Sequence, residues 1–300
     1  MLQLLIVLFV VLPLAQVKHV DDRELASLIQ ELETIDLDGA KSRDLRVNYQ
    51  SHAVNTNKDV APLPLFEYVN DKILRRPTYQ KLSTLVSLYN PYLNETETNT
   101  AVKRAAINDF LDEIMKTSVM RRAYQFLHQL KYPSTMSLDQ FKESLRQLWF
   151  TPYSRKSKNI NSCAFEHVFG GEVGQNKVEG LHDWVRFYQL EKSKRINYLG
   201  FVVKRRDAVC SVRYTVGKAV KPTGSFLIGA SPEFEMATYT LCFLLRRGER
   251  KCKFSYKNCP VAVTTIGHSH IITTAYPNPA GLCKGDGPVF RKSGAHPSVH

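Results

Sequence analysis

Apolar residues in the first half of the chain recur at helical spacing. Leu25, Leu28, Ile29 and Leu32 draw one stripe, and Tyr79–Tyr89, Ala101–Met115 and Val119–Leu130 repeat the three-and-four pattern. After a break at Pro133-Ser134 the pattern resumes over Leu138–Phe150, with Asp139 and Glu143 near the start of that helix. The intervening stretch Asp44–Leu63 is polar and without period, and reads as loop. The acidic run Asp36-Leu37-Asp38-Gly39 lacks the closing glutamate of a calcium loop and reads as a turn.

Past residue 155 the texture changes to short β-rich runs and isolated helices. Leu181–Leu190 predicts a helix with Trp184, Phe187 and Tyr188 inward. Pro232–Leu245 predicts another, with Ser231 as N-cap, Pro232 at the first position and Glu233 and Glu235 in the first turn. Leu199–Lys204 and Ala208–Val216 read as strands, a candidate hairpin, and Cys252–Tyr256, Val261–Thr265 and Ile271–Tyr276 as a further set. The expected fold class is α+β, with a helical portion over residues 20–155, a β-rich portion with short antiparallel sheets over 156–277, and an extension over 278–300. A chain of 300 residues has room for one large domain or two of roughly 100–150 residues.

Charge marks the same boundary. The formal net charge is +13, yet residues 1–150 hold 18 basic and 18 acidic side chains, so residues 151–300 carry the whole excess. A uniformly basic protein is excluded, and the second half becomes a standing attraction for polyanions. With 14 Tyr and 15 Phe the chain is too aromatic to be extensively disordered.

Residues 1–15, MLQLLIVLFVVLPLA, read as a secretory signal peptide cleaved near Ala15, with an uncleaved membrane anchor as the alternative. No later run is apolar enough to span, so the mature chain is expected to be secreted, without stable membrane association. All six cysteines (Cys163, Cys210, Cys242, Cys252, Cys259, Cys283) lie in the basic half and none is in CxxC spacing. That usage favours disulfides in an oxidising compartment over a zinc ribbon, with buried free thiols as the alternative; six cysteines allow 15 pairings. Asn94-Glu95-Thr96 is an N-glycosylation sequon.

Of nine histidines, His167 and His182 stand in structured segments of unusual local sequence, flanked by carboxylates and aromatics and separated by Gly170-Gly171. The glycine pair and the loop Gly174–Asn176 let the chain turn back, so both imidazoles can face one cleft. Two imidazoles and a cation suit one reaction well. Cleavage of RNA by its own 2′-hydroxyl needs a base for the 2′ proton, an acid for the departing 5′-oxygen and positive charge for the phosphorane. Lys204, Lys218 and Lys221 are all open as the cation at this point.

Five blocks in order carry a resemblance: Phe165–Glu172 (FEHVFGGE), Gly180–Tyr188 (GLHDWVRFY), Lys221–Gly229 (KPTGSFLIG), Ser231–Ala237 (SPEFEMA) and Thr274–Tyr276 (TAY). They resemble the EndoU family of uridylate-specific endoribonucleases, in its secreted placental-protein-11 type. The helical run from about residue 22 resembles the family's N-terminal portion. The resemblance implies an endoribonuclease that cuts single-stranded RNA at uridines and leaves 2′,3′-cyclic phosphate ends, acting as a monomer. It implies His182 as general base, His167 as general acid and Lys221, rather than Lys218, as the third member. It also implies Ser225, Thr274 and Tyr276 at the uracil, and Mn2+ as cofactor, with Glu166 and Glu172 as the acidic residues near the site.

The chain departs from the family pattern at Gly170, at Asp183, where Asn is frequent, and at Pro222-Thr223. Pro222 biases Lys221 towards extended geometry. The tail Pro277–His300, with Cys283, His296 and His300, has no counterpart and is expected to be tied down through Cys283. Two other readings remain: a binding module that holds RNA or sulfated glycans without turnover, and a metal-dependent hydrolase on His167, Glu166 and Glu172. In the latter, Glu166 and His167 would diverge if they lay on a strand.

Overall fold

The computed structural model describes residues 19–53, 58–155, 159–246, 251–268 and 271–286. The expected signal peptide, the linker residues 156–158 and the tail histidines His296 and His300 lie outside the described residues.

The helices start where a side chain can take an orphaned backbone N–H. Asp21 caps α1 (Asp22–Ile35), whose buried residues are the predicted Leu25, Leu28, Ile29 and Leu32. Then comes a departure from expectation. The stretch assigned to loop holds β1 (Leu45–Val47), paired antiparallel with β2 (Phe66–Val69) across an irregular register. Three residues give no period to detect, and the partner lies beyond the loop. A single turn, α2 (Asp71–Leu74), leads to α3 (Pro77–Val86), which begins on proline. Thr100, Thr117 and Ser137 then cap α4 (Ala101–Ile114), α5 (Ser118–Gln129) and α6 (Leu138–Phe150). Asn94, the sequon residue, is exposed in the connection before α4.

The second half opens with a π-helical turn at Glu166–Gly170 and a minimal hairpin, β3 (Glu172–Val173) with β4 (Val178–Glu179). Helix α7 (Trp184–Lys192) starts later than the apolar stripe suggests, because Leu181 has φ 60° and Asp183 is the N-cap. Next, β5 (Ile196–Arg205), β6 (Val209–Val216) and β7 (Ala219–Leu227) form an antiparallel sheet in that order. The predicted hairpin is its first two strands. Strand β7 carries Pro222, which an edge strand tolerates.

Helix α8 (Pro232–Leu245) follows, capped by Ser231 as predicted. Strands β8 (Lys251–Tyr256), β9 (Cys259–His268) and β10 (Ile271–Pro279) make a second antiparallel sheet with β9 central.

Helix α8 is buried almost all round and joins the two halves. Trp149 at the end of α6 donates its indole N–H to Thr240 Oγ1 at 2.9 Å, and α1 reaches the second sheet where Glu33 accepts the Lys257 backbone N–H at 2.8 Å. One continuous apolar core therefore runs from Val20 to Cys283. Disulfides Cys242–Cys252 and Cys259–Cys283 tie α8 to β8, and β9 to the segment after β10. The second bond gives Cys283 its expected tethering role. Cys163 and Cys210 are buried free thiols, and burial pushes the Cys163 thiol up to about 12. Among the described residues no helix is long and apolar enough to cross a membrane.

Candidate active site

Both histidines are brought together by backbone contact between the π-helical turn and the residues that precede α7. Gly171 (φ 77°) turns the chain into the β3–β4 hairpin, and Gly180 (φ 62°) ends the return. A Cβ on Gly180 would sit 1.8 Å from the His167 carbonyl oxygen, so only glycine permits the approach. The contact is closed by Leu181 N–H to His167 O at 2.9 Å and His182 N–H to Val168 O at 2.7 Å. The imidazole centroids end 6.2 Å apart, with both residues buried. Gly170-Gly171 and the hairpin thus turn the chain back as the sequence suggested. Glu166 and His167, however, lie on a helical turn and not on the strand the metal-hydrolase reading considered.

Each imidazole is held at Nδ1 by a different kind of acceptor. His167 Nδ1 donates to Glu172 Oε2 at 2.6 Å, and Glu172 Oε2 also lies 3.2 Å from Arg155 Nε. His182 Nδ1 donates to the Ser225 carbonyl on β7 at 2.9 Å. A carbonyl oxygen can only accept, so the His182 tautomer is fixed with its proton on Nδ1. Burial, then the positive charge of Lys221, then His167 hold His182 well below the ordinary imidazole range. A ring kept neutral by its surroundings is suited to accept a proton. The carboxylate behind His167 instead offsets the charge that ring carries when protonated.

Lys221 lies on β7, which bulges between Lys221 and Gly224, a device that re-aims side chains. Gly224 gives its stem room: a Cβ there would meet the Tyr214 ring at 2.7 Å and Lys221 Cγ at 3.3 Å. Lys218 is exposed in the β6–β7 turn, and Lys204, on the far strand β5, lies over the Phe201 ring of its own strand and the Tyr49 ring from the segment after β1. Of the three lysines, Lys221 is the one whose charge bears on His182. From the second sheet, Tyr276 on β10 stacks on His182 with centroids 5.1 Å apart and planes at 25°. Thr274 lies two residues earlier on the same strand, and Ser225 is buried on β7.

The residue the sequence did not point to is Arg155. It engages Glu172, the Tyr153 hydroxyl and the Thr273 carbonyl, so it ties the carboxylate behind His167 to β10. No motif marked it, because it stands in an irregular segment and meets its partners only in the fold.

Glu166 and Glu172 do not fit a Mn2+ site. Both Glu166 oxygens are buried without a hydrogen-bond partner, and burial, with the charge of Glu172, pushes its carboxyl up to about 9. Glu166 is therefore neutral at physiological pH, while Glu172 is engaged by an imidazole and a guanidinium. A neutral acid and a neutralised carboxylate make a poor cage for a divalent ion. Among the described residues no three His, Cys, Asp or Glu side chains converge as ligands.

The chain as a whole is matched by known proteins. A family model described as Endoribonuclease XendoU covers residues 24–277. The chain belongs to the XendoU endoribonuclease family. It is similar to the uridylate-specific endoribonuclease of Bos taurus, 37% identical over 250 residues that make up 81% of this chain and 60% of the relative. The protein of the same name from Homo sapiens is 36% identical over 83% of this chain and 63% of its own length. The chain thus spans less than two thirds of these mammalian relatives. Uridylate-specific endoribonuclease D of Xenopus laevis is 35% identical and matched over 88% of its length. The solved structure of XendoU, described as a splicing independent snoRNA processing endoribonuclease, superposes with a TM-score of 0.74 at 33% identity. It covers 89% of this chain and 99% of that one. The mixed fold, with helices mostly early and antiparallel strands late, is that of XendoU.

Proposed function

We propose that this XendoU-family chain cuts single-stranded RNA at uridines by attack of the substrate's own 2′-hydroxyl, leaving a 2′,3′-cyclic phosphate. The observation that carries the reading is the unlike backing of two imidazoles 6.2 Å apart, a carboxylate behind His167 and a carbonyl behind His182.

His182, neutral and with Nδ1 occupied, takes the 2′ proton on Nε2. His167 gives the proton on its Nε2 to the departing 5′-oxygen, and Glu172 offsets the imidazolium charge beforehand. Lys221 stands towards the phosphate and stabilises the charge that gathers in the transition state. The uracil is assigned to Ser225, Thr274 and Tyr276, with the base on the Tyr276 face turned away from His182. The cationic half concentrates RNA and carries no base preference. Mn2+ has no step in this scheme. Secretion is part of the same proposal, supported by the two disulfides.

The test is the 3′-end chemistry of a uridine-containing oligonucleotide cut by the purified protein. A cyclic phosphate is expected by mass spectrometry. A linear phosphate carrying one solvent oxygen from the first turnover, or tight salt-dependent binding with no cut, defeats the reading. Glu172→Gln keeps the shape and removes the charge behind His167. Its single-turnover rate is expected to fall about 10²-fold, with RNA affinity little changed.

A further inference from the structure

Two buried acids meet where α7 begins. Asp183 follows His182 directly, and Glu235 lies in the first turn of α8; they are 1% and 0% exposed. Their side chains are in contact. One oxygen of each is satisfied: Asp183 Oδ1 accepts the Arg186 backbone N–H at 2.6 Å, and Glu235 Oε1 the Tyr239 hydroxyl at 3.4 Å. The other two, Asp183 Oδ2 and Glu235 Oε2, are buried with no donor. Two ionised carboxylates so placed would repel each other without solvent to screen them, and two orphaned acceptors would each cost desolvation energy.

We propose that Asp183 and Glu235 share one proton, and that this carboxyl–carboxylate hydrogen bond clamps the segment carrying His182 against α8, which makes both positioning residues. One hydrogen bond satisfies both orphaned oxygens and leaves a single negative charge in the pair. The surroundings place that charge on Asp183, which faces the Arg186 guanidinium and the N-terminal amides of α7. Glu235 faces Asp183 itself and Asp36 from the end of α1, carboxylates that favour its neutral form, beside Tyr256 from β8; the Tyr239 hydroxyl on its own helix favours the ionised form and is outweighed by burial. Burial accordingly pushes Asp183 only to about 6 and Glu235 well above the carboxylate range.

The clamp stands between two fixed points. His182 is held on the Ser225 carbonyl, and Trp184 donates its indole N–H to the Ala230 carbonyl at 2.8 Å. Loss of the proton puts like charges at the base of the loop between them. A carboxyl whose folded pKa is raised contributes stability that is full below its unfolded value and is lost as pH rises through the folded one. The clamp therefore weakens towards alkaline pH, independently of either imidazole.

Glu235→Gln and Asp183→Asn each supply an N–H where the proton lies, and the amide of Asp183→Asn keeps an oxygen to cap α7. Thermal midpoints without RNA and single-turnover kinetics are compared at about pH 6 and about pH 9 for wild type and both variants. Expected is a wild-type midpoint that falls more steeply than that of either variant. The wild-type maximal rate should drop about tenfold relative to the variants, with KM within about twofold. Parallel midpoints in all three proteins overturn the shared proton. Divergent midpoints with superimposable rate profiles overturn the positioning role. The activity arm rests on the proposed function, whereas the thermal arm decides the shared proton even if no RNA is cut.

Discussion

His182→Ala is expected to lower the single-turnover rate of RNA cleavage by about 10²–10⁴-fold, the usual cost of losing one acid–base group. The reason is specific to this site. His182 is the ring whose tautomer is fixed by the Ser225 carbonyl and whose proton affinity is held down by burial and Lys221. No other described side chain combines that neutrality with its placement. His167→Ala should cost a similar factor. The double variant should be little worse than either single one, because acid and base act in one concerted transfer. RNA binding should persist in all three, since the excess charge lies in other side chains. A His182→Ala protein that cuts at the wild-type rate would remove the basis for the proposed mechanism.

Gly180→Ala is expected to be the most damaging single-methyl change. It places a Cβ 1.8 Å from a backbone oxygen, which cannot rotate away, at φ 62°. Either the π-helical turn or the strand entering His182 must move, and both hydrogen bonds between them are then lost. A loss of more than about 3 kcal/mol is expected from chemical denaturation. Any protein that still folds should cut RNA about 10²-fold more slowly, because the imidazoles no longer share one cleft. Gly217→Ala is the internal control. Gly217 has φ 55° with nothing within 4 Å of an added Cβ, so it should cost only about 1–2 kcal/mol of backbone strain. Equal losses at the two positions would mean that close packing at Gly180 contributes nothing.

The α1 stripe, the Ser231 cap and the strands β8, β9 and β10 were legible because their signals are local, a period or a capping oxygen a few residues away. Strands β1 and β7 were not, one too short to show alternation and the other interrupted by Pro222 and Gly224. Helix α7 was misjudged at its start for a related reason. The apolar stripe runs through Leu181, but the left-handed backbone there belongs to the contact with His167, which no window of neighbours contains.

By itself the sequence determined the charge division, the helices and the family blocks that bring His167, His182, Lys221, Ser225 and Tyr276 to notice. Each of those rests on residue identity and near neighbours. Only the tertiary structure decided what stands behind each imidazole, that Arg155 joins the site, that Glu166 is a neutral acid and that Asp183 meets Glu235. Those outcomes depend on burial and on partners as far apart as 118 residues. Proton affinity and tautomer follow from desolvation and acceptor type, and both exist only once the chain has folded.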